Sequence, residues 1–512
     1  MATNRVAAFA AAAAVACATT GDPERQPPAE SQPGASVSNV ASSTSQSTSS
    51  TSTDTSTPTS PEPTTDTSPT TGTDTAEPGT GTSSTSSSPR SFDAGCSLLE
   101  KMSVRCTLSA KPPTDVDLVF TAAHAAEPRV VRLTKVSDLE VDVPMLTADT
   151  VWAWSAVPVD DPAAGVAGEL TTEPPPLTFN LSATVEGEPV APFVLVSAAC
   201  ADRTWSAVFD AYSGLPAWVQ EVGQGQPDNV RLTNEGTVLT LTGERLTEYD
   251  LHNTPLLDLP MGPDQTGLNT HHDAATWGEW VYVLYNESGG PPLWPLDDGV
   301  LVMDRDGTVV ADLFLPDVLV LDQPAAGDYS HANAINPTGD GDLLVSLRHQ
   351  NAVLRVSADP EADDFGALRW QLVGAPIPDR ASMLSDFELR SVDGALEDFM
   401  GQHDANLLPD GTLTMFDNRQ YPLETSRMID VSLDEDARVA TVTHTYELGI
   451  KCPFQGGARM TRSGGRLATC ASSRTVYGFG PGESESRWSL SVSCADIPAG
   501  PAYILRVHPV EI

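Results

Sequence analysis

Three short phrases in the second half of the chain repeat one titratable residue. They are Thr270-His-His-Asp-Ala274, Ser330-His-Ala-Asn-Ala334 and Gln402-His-Asp-Ala-Asn406. Each is followed, after a polar turn containing Gly, by an apolar run: Val281 to Asn286, Leu343 to Arg348, and Leu413 to Asn418. A histidine recurring at one point of a repeated β unit implies that the fold brings several imidazoles to one place. Alternation along a strand sets His331 and Asn333 on one face. Arg348 ends the return strand of the same hairpin, so it reaches the same mouth.

Three kinds of chemistry suit such a group. Imidazoles from His272, His331 and His403 on one axis could ligate Fe, Zn or Cu. The permanent charge of Arg348 opposes a cation there. His, Asn and Arg together instead make a donor-rich pocket for sulfate or phosphate oxygens, with Arg offering two parallel N–H groups. A neutral imidazole is also a nucleophile at phosphorus or sulfur. The chain has neither a carboxylate-rich Mg²⁺ motif nor a Gly-rich nucleotide loop, which favours sulfuryl over phosphoryl transfer. In the third reading the pocket holds an anion without catalysis. His252, His349, His444 and His508 read as structural residues, and His124 as a loop residue.

The elements that must position these residues are strands. From about 186 to the end, units recur with almost no helical periodicity. A polar phrase is followed by a Gly turn, an apolar strand, and then Asp-x-x-Gly or a Trp, as in Asp304-Arg-Asp-Gly307 and Asp210 to Gly214 with Trp218. Unit starts fall near Pro192, Asn229, His272, His331, His403 and Gln455. Six units of four short strands predict an all-β fold with a six-bladed β-propeller over 186–512. A seventh blade is the alternative, because the 331–402 unit is long. The innermost strand of each blade lines the axis, so the repeated phrases face it together. Residues 93–178 read as short alternating strands (116–121, 130–134, 139–143, 150–154), the pattern of a small immunoglobulin- or fibronectin-like β-sandwich.

The chain has 512 residues and 28 Lys+Arg against 69 Asp+Glu, a formal charge of −41. Such a surface repels nucleic acid and anionic lipid, so an anionic substrate needs a local positive pocket. Arg5, the apolar stretch Val6 to Ala16 and Ala14-Val-Ala-Cys17 read as a lipoprotein-type signal over 1–17, with lipidation at Cys17. Residues 18–92, rich in Ser, Thr and Pro, read as a disordered tether. Membrane association through that lipid and a site in the bacterial cell envelope, facing the periplasm or exterior, follow. The six other cysteines, Cys96, Cys106, Cys200, Cys452, Cys470 and Cys494, read as disulfides. Cys96 and Cys106 pair across a hairpin in this reading, and a bridge between the two ends of the large domain would staple a ring.

The phrases Asp328-Tyr-Ser-His-Ala-Asn333, Leu344 to Arg348, Trp370-Gln-Leu-Val-Gly374, Gly401-Gln-His-Asp-Ala405 and Met415-Phe-Asp-Asn418 resemble the bacterial arylsulfotransferases. The resemblance is dense from about 265 to 420. It implies transfer of a sulfuryl group from a phenolic sulfate ester to a phenol through a sulfated histidine, with no nucleotide sulfate donor and no cofactor or metal. His403 matches the family's nucleophile, and His331, Asn333 and Arg348 match its sulfate-binding donors. His272 matches a further active-site histidine, with His271 as the alternative. Two departures stand out: the N-terminal tether, and Arg419 after Asn418, where Gly is common.

Overall fold

In the computed structural model, the described residues are 90–511 apart from 126–127, 201–202, 225–226, 244, 263–267, 288–296, 322–327, 378–381, 421–422, 495–503 and 505. All of them belong to one compact unit, Ser88–Ile512. The signal segment, Cys17 and the tether up to residue 89 lie outside the described residues. Among the described residues no helix is long and apolar enough to cross a membrane.

The N-terminal part is built from Ser91–Glu100, Ser103–Thr121, Arg129–Val143, Val151–Pro158 and Val166–Thr171. Hydrogen bonds join all five strands in one antiparallel sheet rather than in two separately bonded ones. The long strand Ser103–Thr121 pairs Ser91–Glu100 along its first half and Val151–Pro158 along its second, with Arg129–Val143 on its other edge. The segments 130–134 and 139–143, expected as two strands, are one. The sheet's core holds Val104, Leu118, Phe120 and Trp152.

Six further sheets of four or five strands follow among the described residues, antiparallel apart from one parallel edge strand in the fifth. The second to fourth are consecutive in sequence, covering 227–260, 269–314 and 332–373. The innermost strands, Pro227–Leu232, Asn269–Trp277, Ala332–Pro337, His403–Leu407, Gly457–Met460 and Val507–Val510, touch one another in a closed ring. Strands buried on both faces by neighbouring sheets must be apolar on both faces, which is why Val281-Tyr-Val-Leu-Tyr285 is a continuous run. Every adjacent pair of sheets shares a core: Val302 with Ile335 and Val345 between the third and fourth, and Trp370 with Met415 and Ile429 between the fourth and fifth. This is a propeller-like arrangement.

The ring closes twice. Val507–Val510, from the chain's end, is the innermost strand of the first sheet and pairs with Phe193–Cys200. Leu181–Gly187 is the outermost strand of the sixth sheet, pairing with Trp488–Cys494. The unit expected to start near Pro192 therefore opens on its second strand. The long 331–402 unit makes no extra sheet, because Glu388–Ser391 adds in parallel to the outer edge of the fifth. All three disulfides join described residues: Cys96–Cys106, Cys200–Cys494 and Cys452–Cys470. Cys200–Cys494 spans 294 residues and ties the first sheet to the sixth across the closure. Replacing both cysteines by serine is expected to cost about 3–5 kcal/mol of stability. Chemical denaturation of the oxidised chain and the double variant checks it, and equal midpoints would contradict the prediction.

Candidate active site

At the same point of four inner strands the ladder slips. Register shifts lie between Pro227 and Asn229, Thr270 and Ala274, Ala332 and Ala334, and His403 and Asn406. Bulges of this kind re-aim side chains beside active sites. His272, His331 and Asp404 adopt positive φ, 59°, 44° and 53°, which costs energy for residues other than Gly. Simple alternation, which sets His331 and Asn333 on one face, therefore does not operate here. His331 stands just before its strand, while Asn333 turns toward the next sheet and donates from Nδ2 to the Gln402 carbonyl at 2.8 Å. Asn333 is fully buried.

His403 is 1% exposed and opens its strand. Its Nδ1 lies 2.8 Å from Asn418 Oδ1 and 3.0 Å from the Gly401 carbonyl. The Asn418 amide cannot turn over, because its Nδ2 donates to the Cys452 and Gln455 carbonyls, each at 2.8 Å. Both groups facing Nδ1 are thus acceptors, so Nδ1 carries the ring proton and Nε2 keeps its lone pair. Burial, then the guanidinium charges of Arg348 and Arg506, hold His403 well below the ordinary histidine range. The residue is a neutral imidazole with a fixed tautomer, the form a nucleophile needs. Its NMR signals are expected to show no titration around the ordinary histidine midpoint of about 6.5, and a midpoint there would contradict this.

Other groups set the backbone beneath it. Gln402 donates from Nε2 to Ser346 Oγ and to the Leu347 and Ala352 carbonyls. Gly401 has φ 68°, and a Cβ there would meet the Gln420 carboxamide at 2.5 Å, so only glycine fits. Asp404 accepts from the Ala458 amide at 2.8 Å and pairs with Arg459 at 2.6 Å. Asp273 accepts from the Ile335 amide at 2.8 Å and pairs with Arg231 at 3.1 Å. The aspartates of the His-Asp phrases therefore lock one sheet to the next.

The remaining expected residues gather around this point. His272 and His331 are in edge contact, with ring centroids 5.1 Å apart. Burial, then neighbouring histidines including His271, lower the His272 pKa well below the usual range. His271 is turned elsewhere: its Nδ1 faces His272 Nδ1 at 2.7 Å and its Nε2 lies 3.3 Å from Asp298. Between the two, His272 is the one facing His331. Arg348 returns as expected, its amide bonded to the His331 carbonyl and its Nη1 3.4 Å from His331 Nε2. Its Nε donates to Gln420 Oε1 at 3.3 Å. His252 and His444 stay away from this group, whereas His349 joins it, its ring centroid 4.4 Å from that of His331.

Sequence reasoning missed Asn418 as a site residue, although it ended a quoted phrase, and missed Arg506. Arg506 is 3% exposed and donates to the Asn333 carbonyl at 2.7 Å and to the Gly456 carbonyl. It comes from the closing strand region, outside the repeated phrases, so no spacing announced it. His508, two residues on, is buried on the axis as a structural residue, within 3.3 Å of Arg459. Arg231, Arg459 and Arg506 face Asp273 and Asp404, three cations against two carboxylates, leaving one positive charge in this network. This charge is buried at the ring of inner strands.

Among solved structures, a protein of unknown function from Bacteroides caccae shares 11% identity at a TM-score of 0.39, covering 62% of this chain and 98% of its own. The β-propeller domain of Cps50 (Swd1) from Myceliophteria thermophila shares 11% at 0.36, covering 64% and 86%. Virginiamycin B lyase from Staphylococcus aureus shares 9% at 0.32, covering 58% and 85%. No curated protein matches the chain. A family described as Arylsulfotransferase (ASST) matches residues 207–450, the stretch holding His271, His272, His331, Asn333, Arg348, His403 and Asn418. Over those residues, the chain is similar to the arylsulfotransferase family and carries the histidines, the arginine and the asparagines of the described site.

Proposed function

We propose that the six sheets are the blades of a six-bladed propeller, and that its axial site transfers a sulfuryl group from a phenolic sulfate ester to a phenol. The observation that carries this reading is His403, neutral, buried and locked with Nε2 unprotonated, beside permanent guanidinium charge. The Nε2 lone pair attacks sulfur, an N–S bond forms, the S–O(aryl) bond breaks, and the phenolate leaves and takes up a proton. The acceptor phenol then attacks sulfur, loses its proton, and the N–S bond breaks to restore the imidazole. Asn333 and Arg348 donate to the sulfuryl oxygens, while His272 and His331, in edge contact, bind the group and pass the proton. No nucleotide sulfate takes part. A non-catalytic anion-binding propeller and a metalloenzyme built on the axial histidines are the competing readings.

Incubating the protein with 4-nitrophenyl sulfate before adding a phenol tests the scheme. A stoichiometric burst of nitrophenol and the mass of one SO₃ on the peptide containing His403 are expected. Release of nitrophenol only when the phenol is present would sink the two-step scheme. An envelope location through a lipid on Cys17 is part of the same proposal, supported by the three disulfides. Cys17→Ser is expected to move the protein out of the membrane fraction with activity per molecule unchanged. A wild-type chain found unacylated and soluble would overturn that location alone.

A further inference from the structure

We propose that Asp328, His331 and His349 form a site for a borderline-soft divalent cation, Zn²⁺ in class, at the rim of the transfer pocket. One ligand atom from each side chain lies within 4.8 Å of the others. His331 Nδ1 is 2.7 Å from Asp328 Oδ2, and His349 Nδ1 is 3.4 Å from the same oxygen and 2.7 Å from the Asp328 carbonyl, so a cation binding there would displace the protons that now bridge these groups. Two imidazoles and one carboxylate suit Zn²⁺ or Co²⁺, whereas Mg²⁺ and Ca²⁺ need more oxygen ligands. Metal–ligand distances of about 2.0–2.2 Å set tetrahedral ligand atoms roughly 3.3–3.6 Å apart, so the 3.4 Å edge already fits and the 2.7 Å edge must open.

The backbone already fixes the two histidines relative to each other: the His349 amide bonds to the Ser330 carbonyl at 3.2 Å, and the Arg348 amide to the His331 carbonyl at 3.1 Å. The side chains stay partly open, with exposures of 28% for Asp328, 20% for His331 and 14% for His349. His349 also lines a cavity of about 210 Å³, with Gln350, Gly374, Ile377 and Met383 among its other walls, which offers a hydrated ion a way in. Of the three histidines of the repeated phrases, His331 alone belongs to this group. Arg348 does not bar the cation either. Its Nη1 faces Nε2 of His331, and the cation would sit on Nδ1, across the ring, with the Asp328 charge beside it.

The site has a consequence for transfer, and this part rests on the sulfotransferase reading. A cation on Nδ1 of His331 moves the ring proton to Nε2, which then gives up the hydrogen bond it accepts from Arg348 Nη1, because a guanidinium can only donate. His331 is then fixed as a hydrogen-bond donor to a sulfate oxygen. The cation is predicted to tighten aryl sulfate binding and to leave the nucleophile untouched.

The full chain, stripped with a chelator and titrated with Co²⁺, tests the site through the visible absorption of the bound ion and its displacement by Zn²⁺. One equivalent is expected to bind the wild-type chain. His349→Ala should weaken binding by at least about tenfold. His349→Asp, which keeps a ligand atom, should restore much of the binding and guards against a folding artefact. No bound Co²⁺ in the wild type, or equal binding by wild type and His349→Ala, overturns the site. A lowered KM with Zn²⁺ in the wild type, absent in His349→Ala, supports the coupling, and an unchanged or raised KM overturns it. The binding measurement needs no sulfuryl transfer, so failure of the enzyme reading and failure of the metal site are told apart.

Discussion

His403→Ala is expected to lose sulfuryl transfer by at least about 10⁴-fold, because removing a nucleophile abolishes the covalent route and leaves only binding and electrostatic stabilisation. The described surroundings predict a second property of this variant. The Asn418 amide keeps its two carbonyl partners, and Gln402 keeps its three, so the pocket should survive the truncation. The cavity left by the ring costs stability of about 2–4 kcal/mol, less than a disrupted sheet would. KM for 4-nitrophenyl sulfate should therefore change little while kcat collapses. Exogenous imidazole, small enough to occupy the cavity, should return part of the turnover. Full activity in His403→Ala would remove the assignment, and a collapsed, aggregating variant is checked by its far-UV circular dichroism.

What the residues announced, and what they hid, follows from the physics of the fold. The periodic phrases located five of the six inner strands, because a strand buried on both faces must be apolar and each turn needs its Asp and Gly. Asp304 shows why: its Oδ1 caps the amides of Asp306 and Thr308 in the turn. The sixth inner strand, Val507–Val510, was hidden because it closes a sheet whose other strands lie some three hundred residues earlier, and no local pattern records such a pairing.

In the site, histidine repetition was a sound guide to place but a poor guide to role. The Asp in two of the phrases serves the ring, through Asp273 to Ile335 and Asp404 to Ala458, so part of the repeat is architecture. Register slips at each phrase decide which imidazole turns inward, and a bulge cannot be read from side-chain alternation. His349 illustrates the cost: a lone histidine after an arginine read as structural, yet a short turn after Leu347 returns it to Asp328 and His331. Arg506 was equally unreadable, since its position at the axis depends on the closure of the whole ring.

The last expected result concerns Asn418→Leu, which keeps the branched side-chain outline, at a somewhat larger volume, and deletes both ends of the amide. The wild-type Oδ1 holds the Nδ1 proton of His403, and Nδ2 ties that oxygen to the Cys452 and Gln455 carbonyls, beside the Cys452–Cys470 bridge. Leucine removes the stronger of two acceptors for the ring, and the Gly401 carbonyl at 3.0 Å remains as the other. Loss of a comparable tautomer-fixing partner elsewhere costs up to about 10⁴-fold, but the retained carbonyl should limit the loss here to about 10²-fold. The half-buried Gln455 carbonyl loses its side-chain donor, and the buried Cys452 carbonyl keeps only the Ser426 hydroxyl at 3.5 Å, so stability falls as well, by about 1–3 kcal/mol unless water reaches them. The discriminating measurement is the nitrogen-15 spectrum of the ring. Wild type should show a protonated Nδ1 and a bare Nε2, and Asn418→Leu should show a mixture of tautomers. A variant with unchanged tautomer and unchanged turnover would mean that Gly401 alone orients the nucleophile.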